Sequence, residues 1–420
     1  MRPSQNSHQR VVITGMGVAT PIGCNVDTFW ESLLAGKSGI RRITRFDASG
    51  FPCQIAGEIR DFVVEDYLTP KEARRMAFSS QLALAVVQMA VQDAGLPEPF
   101  TDPERVGVSI GTAIGGLDRA FTAYLEYRDN GFNRVNPFII PSAMHNIASF
   151  YVADRYGALG ANKTIVTACA AGTQSVGEAA EMIRRGHADV VLTGATEAAV
   201  ADFMLAGFAA MRALPTSYNE QPERASRPFD ADREGFVFSE GAAGLVLESL
   251  EHAQGRGARI YAEVAGHASS GDAFHIATLD PSGSGALRTM RWALEDADIS
   301  PIEVDYINAH GTSTPANDSV ETLAIKLLFG ERAYNVPISS TKSMIGHAMG
   351  ASGAIEAVAC ALTIDRGVIH PTINLENPDP NCDLDYVADG PRKADVHVAL
   401  SNSFGLGGQN ACLVLRRFDD

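Results

Sequence analysis

Along this chain, short apolar runs that end in glycine alternate with longer segments of mixed hydrophobic and polar character. Residues 11–17 (Val-Val-Ile-Thr-Gly-Met-Gly) are β-branched and then glycine-rich, which predicts a buried strand and a turn. The spacing over 74–95 predicts a helix stopped by Gly95, just before Pro97. Residues 106–110 predict a second strand opening into the glycine-rich loop 111–116. A third strand is expected over 164–167, with a helix over 171–185 after it. Fourth and fifth strands follow over 190–193 and 244–248. Strands alternating with helices predict an α/β protein whose sheets are largely parallel and buried.

The second half repeats this order. A strand over 304–308 enters the loop of His310, and a helix runs through 328. A strand over 337–340 leads to a glycine-rich turn and then a helix through 365. The helical segment 175–186 matches 353–362 in pattern, and the small-residue turn and apolar run 238–247 match 403–415. These echoes predict an internal duplication whose halves meet near 250–260, joined by the polar segment 251–257. The expected organisation is a disordered polar tail over 1–10, an N-terminal half over 11–255 and a C-terminal half over 256–420.

Composition narrows the function classes. With 45% hydrophobic and 20% charged residues, the 420-residue chain is ordinary for a globular protein. Its formal charge of -16 argues against nucleic-acid binding, because phosphate repels it. An acidic protein partner would need a local basic patch. The six cysteines are widely spaced with no C-x-x-C pair, so neither a zinc site nor a disulfide framework is indicated. Residues 1–10 lack the apolar stretch of a secretory signal, and no run of about 18 apolar residues could form a membrane span. The expected compartment is a reducing cytoplasm.

One cysteine stands apart. Cys169 lies between an expected strand and the start of a helix, facing unpaired N–H groups and the positive end of the helix dipole. Both features favour a thiolate, and the same N–H groups could stabilise an oxyanion. A lone cysteine also commonly fills core space. Cys24, Cys53, Cys360, Cys382 and Cys412 lack this setting and read as structural. His310 and His347 each follow an expected strand, in loops rich in glycine and hydroxyls, and Lys342 precedes His347 closely. No ligand spacing such as H-E-x-x-H accompanies them, and no neighbouring Cys or carboxylate in the chain completes a zinc set. Neutral imidazoles donating hydrogen bonds to a thioester carbonyl fit better than a metal.

Four ordered motifs carry a resemblance. Thr167-Ala168-Cys169-Ala170, the segment 308–315 (Asn-Ala-His-Gly-Thr-Ser-Thr-Pro), the segment 340–347 (Ser-Thr-Lys-Ser-Met-Ile-Gly-His) and the segment 402–408 (Asn-Ser-Phe-Gly-Leu-Gly-Gly) closely resemble the elongating β-ketoacyl-acyl-carrier-protein synthases, from about residue 10 to the C-terminus. The resemblance implies a thiolase-like five-layer αβαβα sandwich built from two duplicated halves, and a homodimer. It implies that Cys169 takes an acyl chain as a thioester, and that His310 and His347 promote decarboxylation of a malonyl thioester. Lys342 would order the histidines with Glu321 as its ion-pair partner. The N–H groups of Cys169 and Phe404 would form the oxyanion hole, with Phe404 also a gate. Thr312 and Thr314 match positions that hold the phosphopantetheine arm, and Ile114 and Phe208 the acyl pocket. Lys71, Arg74, Arg75 and Arg212 match a patch that docks the acidic carrier protein. No tightly bound cofactor and no metal are expected, since the carrier brings the phosphopantetheine.

The chain departs from the family at Leu406, where a phenylalanine is usual, and at Gln409, where a threonine or histidine is usual. Ala277 and Thr278 match a pantetheine-binding threonine region only loosely. A thiolase would carry a second cysteine near the C-terminus, where Phe404 and glycines stand. An initiating synthase would pair one histidine with an asparagine, against His347. A non-catalytic partner subunit would lack Cys169. A ketosynthase of a polyketide or specialised lipid pathway would share these motifs, so that alternative stays open.

Overall fold

The computed structural model describes residues 9–419. Residues 1–8 of the expected tail lie outside the described residues, while Arg10 makes a two-pronged ion pair with Glu263. The first half contributes strands β1 (Val11–Ala19), β2 (Val106–Gly111), β3 (Asn162–Ile165), β4 (Val190–Glu197) and β5 (Gly241–Ser249). The second contributes β6 (Ala262–Gly271), β7 (Tyr306–Asn308), β8 (Ile338–Ser339), β9 (Val398–Gly405) and β10 (Gln409–Arg416).

Their spatial orders correspond, β1-β5-β4-β2-β3 in one half and β6-β10-β9-β7-β8 in the other. The directions correspond too: in each half the first two pairings are antiparallel and the last two parallel. The two sets join edge to edge through β1 and β6, with Val12 opposite Glu263 and Ile13 opposite Ala262. The sheets are therefore mixed, which corrects the expectation of largely parallel ones. The reason is local: β9 and β10 are joined by Leu406-Gly407-Gly408, with φ of +81° and +68° at the two glycines, a tight reversal that only an antiparallel pair can use.

The main helices are α1 (Phe78–Ala94), α2 (Leu117–Asn130), α3 (Ile147–Tyr156), α4 (Ala171–Arg184), α5 (Asp202–Ala210), α6 (Ser284–Ala297), α7 (Pro315–Phe329) and α8 (Ser352–Arg366). α1 and α3 cover one outer face, and α6 and α7 the other. α4 and α8 lie between the sheets and touch strands of both halves, giving five layers. This middle position explains why α8 is buried from Ser352 to Ile364 and is built of small residues. The two helices meet so closely that a Cβ on Gly172 would lie 2.6 Å from the Ala354 nitrogen. No helix among the described residues is long and apolar enough to cross a membrane.

A buried carboxylate ties β1 to β5. Glu248 accepts hydrogen bonds from Thr14 and Arg256 and lies against the His252 ring. Burial alone would push its carboxyl up, yet these partners outweigh burial and hold it at about 2. Its folded value lies below the ordinary unfolded one near 4.3. The stabilisation is therefore complete above that pH and is lost as pH falls toward about 2. Glu248→Gln is expected to lower stability at neutral pH by about 3 kcal/mol and to flatten the loss between pH 4 and 2, as urea titrations at several pH values would report.

Candidate active site

Three strand-end loops converge between the halves. Beyond β3 the chain passes Ala168 at φ +49° and makes one tight turn, Ala168–Ala170, before α4. That turn holds Cys169 at 4% exposure. His310 follows β7, and its own N–H and that of Gly311 donate to the two carboxylate oxygens of Glu321 at 2.8 and 2.9 Å. His347 follows Gly346 at φ +75°, and its N–H donates to the Val237 carbonyl at 2.7 Å. His347 Nε2 lies 3.0 Å from Cys169 Sγ, and its Nδ1 lies 3.0 Å from Ser352 Oγ. The two imidazole rings stand nearly perpendicular, 5.4 Å apart, and the Phe404 ring meets His310 edge-on at 5.8 Å.

The electrostatics correct two expectations. Lys342, fully buried, pairs with Glu356 of α8 and not with Glu321, which is committed to the His310 loop and to Asn402. Burial pushes the Cys169 thiol up to about 11, outweighing the N–H groups of Leu406 and Cys169 and the Lys342 charge, which favour the thiolate. The helix end does not win because the sulfur is closed off from water. Burial, reinforced by the Lys342 charge, drives both imidazoles well below their usual value, so both are neutral. His347 therefore stands as a neutral imidazole at hydrogen-bond distance from the thiol.

Cys169, His310, His347 and Phe404 line one cavity of about 340 Å³. Thr312 and Thr314 also line it, their hydroxyl oxygens 2.9 Å apart, as do Ala277, Thr278, Leu406 and Arg212. Ile114 and Phe208 do not reach this cavity; they are packed in the apolar cluster that contains Cys169. Lys71, Arg74 and Arg75 are exposed on a separate segment, apart from the cavity lining, with Arg75 over the Phe138 ring. Gln409 is exposed at the start of β10.

Chain spacing suggested no metal ligand set, but folding brings one ligand atom each of Cys169, His310 and His347 within 4.8 Å of one another. The 3.0 Å separation of sulfur and Nε2 suits a hydrogen bond. Tetrahedral zinc ligands at usual bond lengths would stand about 3.5 Å apart. Asn308 Oδ1, Glu356 Oε2, Ser401 Oγ and Asn402 Oδ1 are buried without hydrogen-bond partners among the described residues. Sequence reasoning missed Glu356, Ser352 and Glu197. Acidic residues inside otherwise apolar segments were the available signal for the two glutamates.

Two family models match, the Beta-ketoacyl synthase N-terminal domain over residues 8–253 and its C-terminal domain over 261–376. Curated proteins named 3-oxoacyl-[acyl-carrier-protein] synthase 2 are similar along nearly the whole chain. The protein from Coxiella burnetii is 49% identical over 98% of this chain and 99% of its own. That from Synechocystis sp. is 48% identical over 98% of each chain. Among solved structures, a type II polyketide ketosynthase bound to a hexaketide, in complex with its acyl-carrier protein, is 39% identical with a TM-score of 0.92, covering 98% of this chain and all (100%) of its own. A β-ketoacyl synthase from Burkholderia phymatum is 35% identical, with a TM-score of 0.91 over the same shares, 98% and 100%. With a cysteine and two imidazoles gathered in one cavity between two matched halves, the chain belongs to the β-ketoacyl synthase family and is an acyltransferase of the ketosynthase class.

Proposed function

We propose that this enzyme elongates fatty acyl chains by decarboxylative condensation, alternating between an acyl-enzyme and malonyl-acyl-carrier-protein. The observation that carries this reading is the 3.0 Å approach of His347 Nε2 to Cys169 Sγ inside a cavity that His310 also lines. In the first half-reaction the Cys169 sulfur attacks the acyl thioester. Its proton passes through His347 to the departing pantetheine thiolate, leaving acyl-Cys169. In the second, the malonyl carboxylate leaves as carbon dioxide, and the electron pair of the broken C–C bond forms an enolate. Neutral His310 and His347 donate hydrogen bonds to the enolate oxygen. The enolate carbon attacks acyl-Cys169, the N–H groups of Cys169 and Phe404 hold the oxyanion, and its collapse breaks the C–S bond, the released cysteine sulfur taking one proton from solvent to return to the thiol.

Thr312 and Thr314 hold the pantetheine arm, so no resident cofactor is required. Ile114 and Phe208 must shift to admit the acyl chain. The carrier docks on Lys71, Arg74, Arg75 and Arg212, basic sites on a protein of net charge -16. A homodimer forms across β3, where the sheet ends; Phe132 at 81% exposed and Ile140 at 69% support an apolar interface nearby. The enzyme works in the cytoplasm on soluble carriers. The relatives at 48–49% identity carry the 3-oxoacyl synthase name, which favours fatty acids over the polyketide alternative. Mixing the protein with palmitoyl-acyl-carrier protein should yield one palmitoyl adduct by intact mass, and malonyl-carrier protein should discharge it as a two-carbon-longer product. Absence of any adduct would refute the reading.

A further inference from the structure

Glu197 is a fully buried carboxylate that the proposed mechanism does not use. It ends β4, whose other residues are buried and mainly apolar or small. Among the described residues no cation pairs with it; it is satisfied by four donors instead. Its Oε2 accepts from the N–H of Ala113 at 2.8 Å and of Gly350 at 3.2 Å. Its Oε1 accepts from the N–H of Ile114 and the hydroxyl of Thr112, both at 3.2 Å. Thr112 in turn accepts from the Gly115 N–H at 3.0 Å.

These donors come from two separate segments that flank the nucleophile. The loop 111–116 leaves β2 and carries Ile114; the turn Met349–Ala351 follows His347 and carries Met349, held at φ +42°. Ile114, Met349 and Cys169 share one apolar cluster, and Met349 also lines the active-site cavity. The two backbones are in contact: a Cβ on Gly350 would stand 2.4 Å from the Ala113 nitrogen and 3.0 Å from Glu197 Oε2.

We infer that Glu197 is a positioning residue that clasps the Ile114 loop to the Met349 turn, and thereby sets how long an acyl chain Cys169 can accept. The inference rests on the function proposed above. Ile114 and Met349 pack with Cys169 in one apolar cluster, and on the proposed function Ile114 must shift to admit a long chain, so the spacing of these two backbones bears on whether it fits. A short chain depends on the sulfur and His347 alone. Burial pushes the Glu197 carboxyl up to about 7 despite its four donors, so the clasp is held against a desolvation penalty and depends on every donor.

Glutamine tests this because both carboxylate oxygens accept backbone N–H groups. Whichever way the amide turns, its NH₂ faces N–H donors that it cannot satisfy. The experiment measures transfer of butyryl and palmitoyl groups from carrier protein to Cys169 by intact mass, with the acyl–S bond of the carrier broken, the Cys169–S-acyl bond formed and the proton returned to the pantetheine sulfur. In Glu197→Gln the palmitoyl-to-butyryl ratio of kcat/KM should fall roughly 10-fold, through the KM for the longer chain. Thr112→Val, which keeps the shape but removes one donor to Glu197 and the acceptor of the Gly115 N–H, should shift the ratio about 3-fold the same way, and decides the matter if the glutamine variant does not fold. An unchanged ratio in a folded variant, or equal losses at both lengths that follow a lower Tm, overturns the inference. A wild type that accepts neither chain overturns the proposed function with it.

Discussion

Cys169→Ala is expected to leave no acyl adduct and to cut condensation by about 10⁴-fold or more, the scale on which enzymes lose rate with their nucleophile. The loss should be chemical and not structural. The cysteine is buried in an apolar cluster, so losing the sulfur costs about 1 kcal/mol in packing. The two half-reactions should respond differently, because the imidazoles do not depend on the sulfur for their placement. His310 is fixed by Glu321 through the backbone N–H groups of its loop, and His347 by the Val237 carbonyl and Ser352. Release of labelled carbon dioxide from malonyl-carrier protein should therefore persist in the alanine variant while elongated product disappears. An adduct that survived the substitution would show that another group is the nucleophile.

Much of this site was legible along the chain. Cys169, His310 and His347 each sit just beyond a run of strand-forming residues, in loops of small residues, so their ends had to face a common edge once the strands aligned. The paired pattern of 238–247 and 403–415 corresponds to β5 and β10, which hold equivalent places in the two halves. Strand direction was not legible, because an apolar run buried on both faces looks the same in either pairing. β6 escaped because Ala262–Gly271 is mostly small and polar residues, with Val264 its single branched apolar side chain. The Lys342 partner was misjudged because Glu321 and Glu356 both lie in helices after histidine loops, and only the packing of α8 between the sheets puts Glu356 against the ammonium. The raised thiol was hidden for a related reason: a helix end can be read from sequence, but closure of the site to water cannot.

Lys342→Met should lower stability by about 3 kcal/mol and condensation by about 10²-fold. Methionine fills the same buried channel, so the loss comes from the charge. Without the ammonium, Glu356 stands alone among apolar neighbours on α8. In the wild type, burial pushes its carboxyl up to about 7 even against Lys342. Because that folded value lies above the unfolded one, its contribution is complete below about pH 4.3 and is lost as pH rises through about 7. In the variant the folded value rises further, so the loss continues where the wild type has levelled. The stability deficit should therefore widen above pH 7 by up to about 1.4 kcal/mol per pH unit. Activity falls for a separate reason: the Lys342 charge favours the Cys169 thiolate and opposes protonation of both imidazoles. The double variant Lys342→Met with Glu356→Gln removes both charges, and should recover most of the stability in urea titrations but little of the condensation rate. Recovery of both together would mean that Lys342 serves the fold alone.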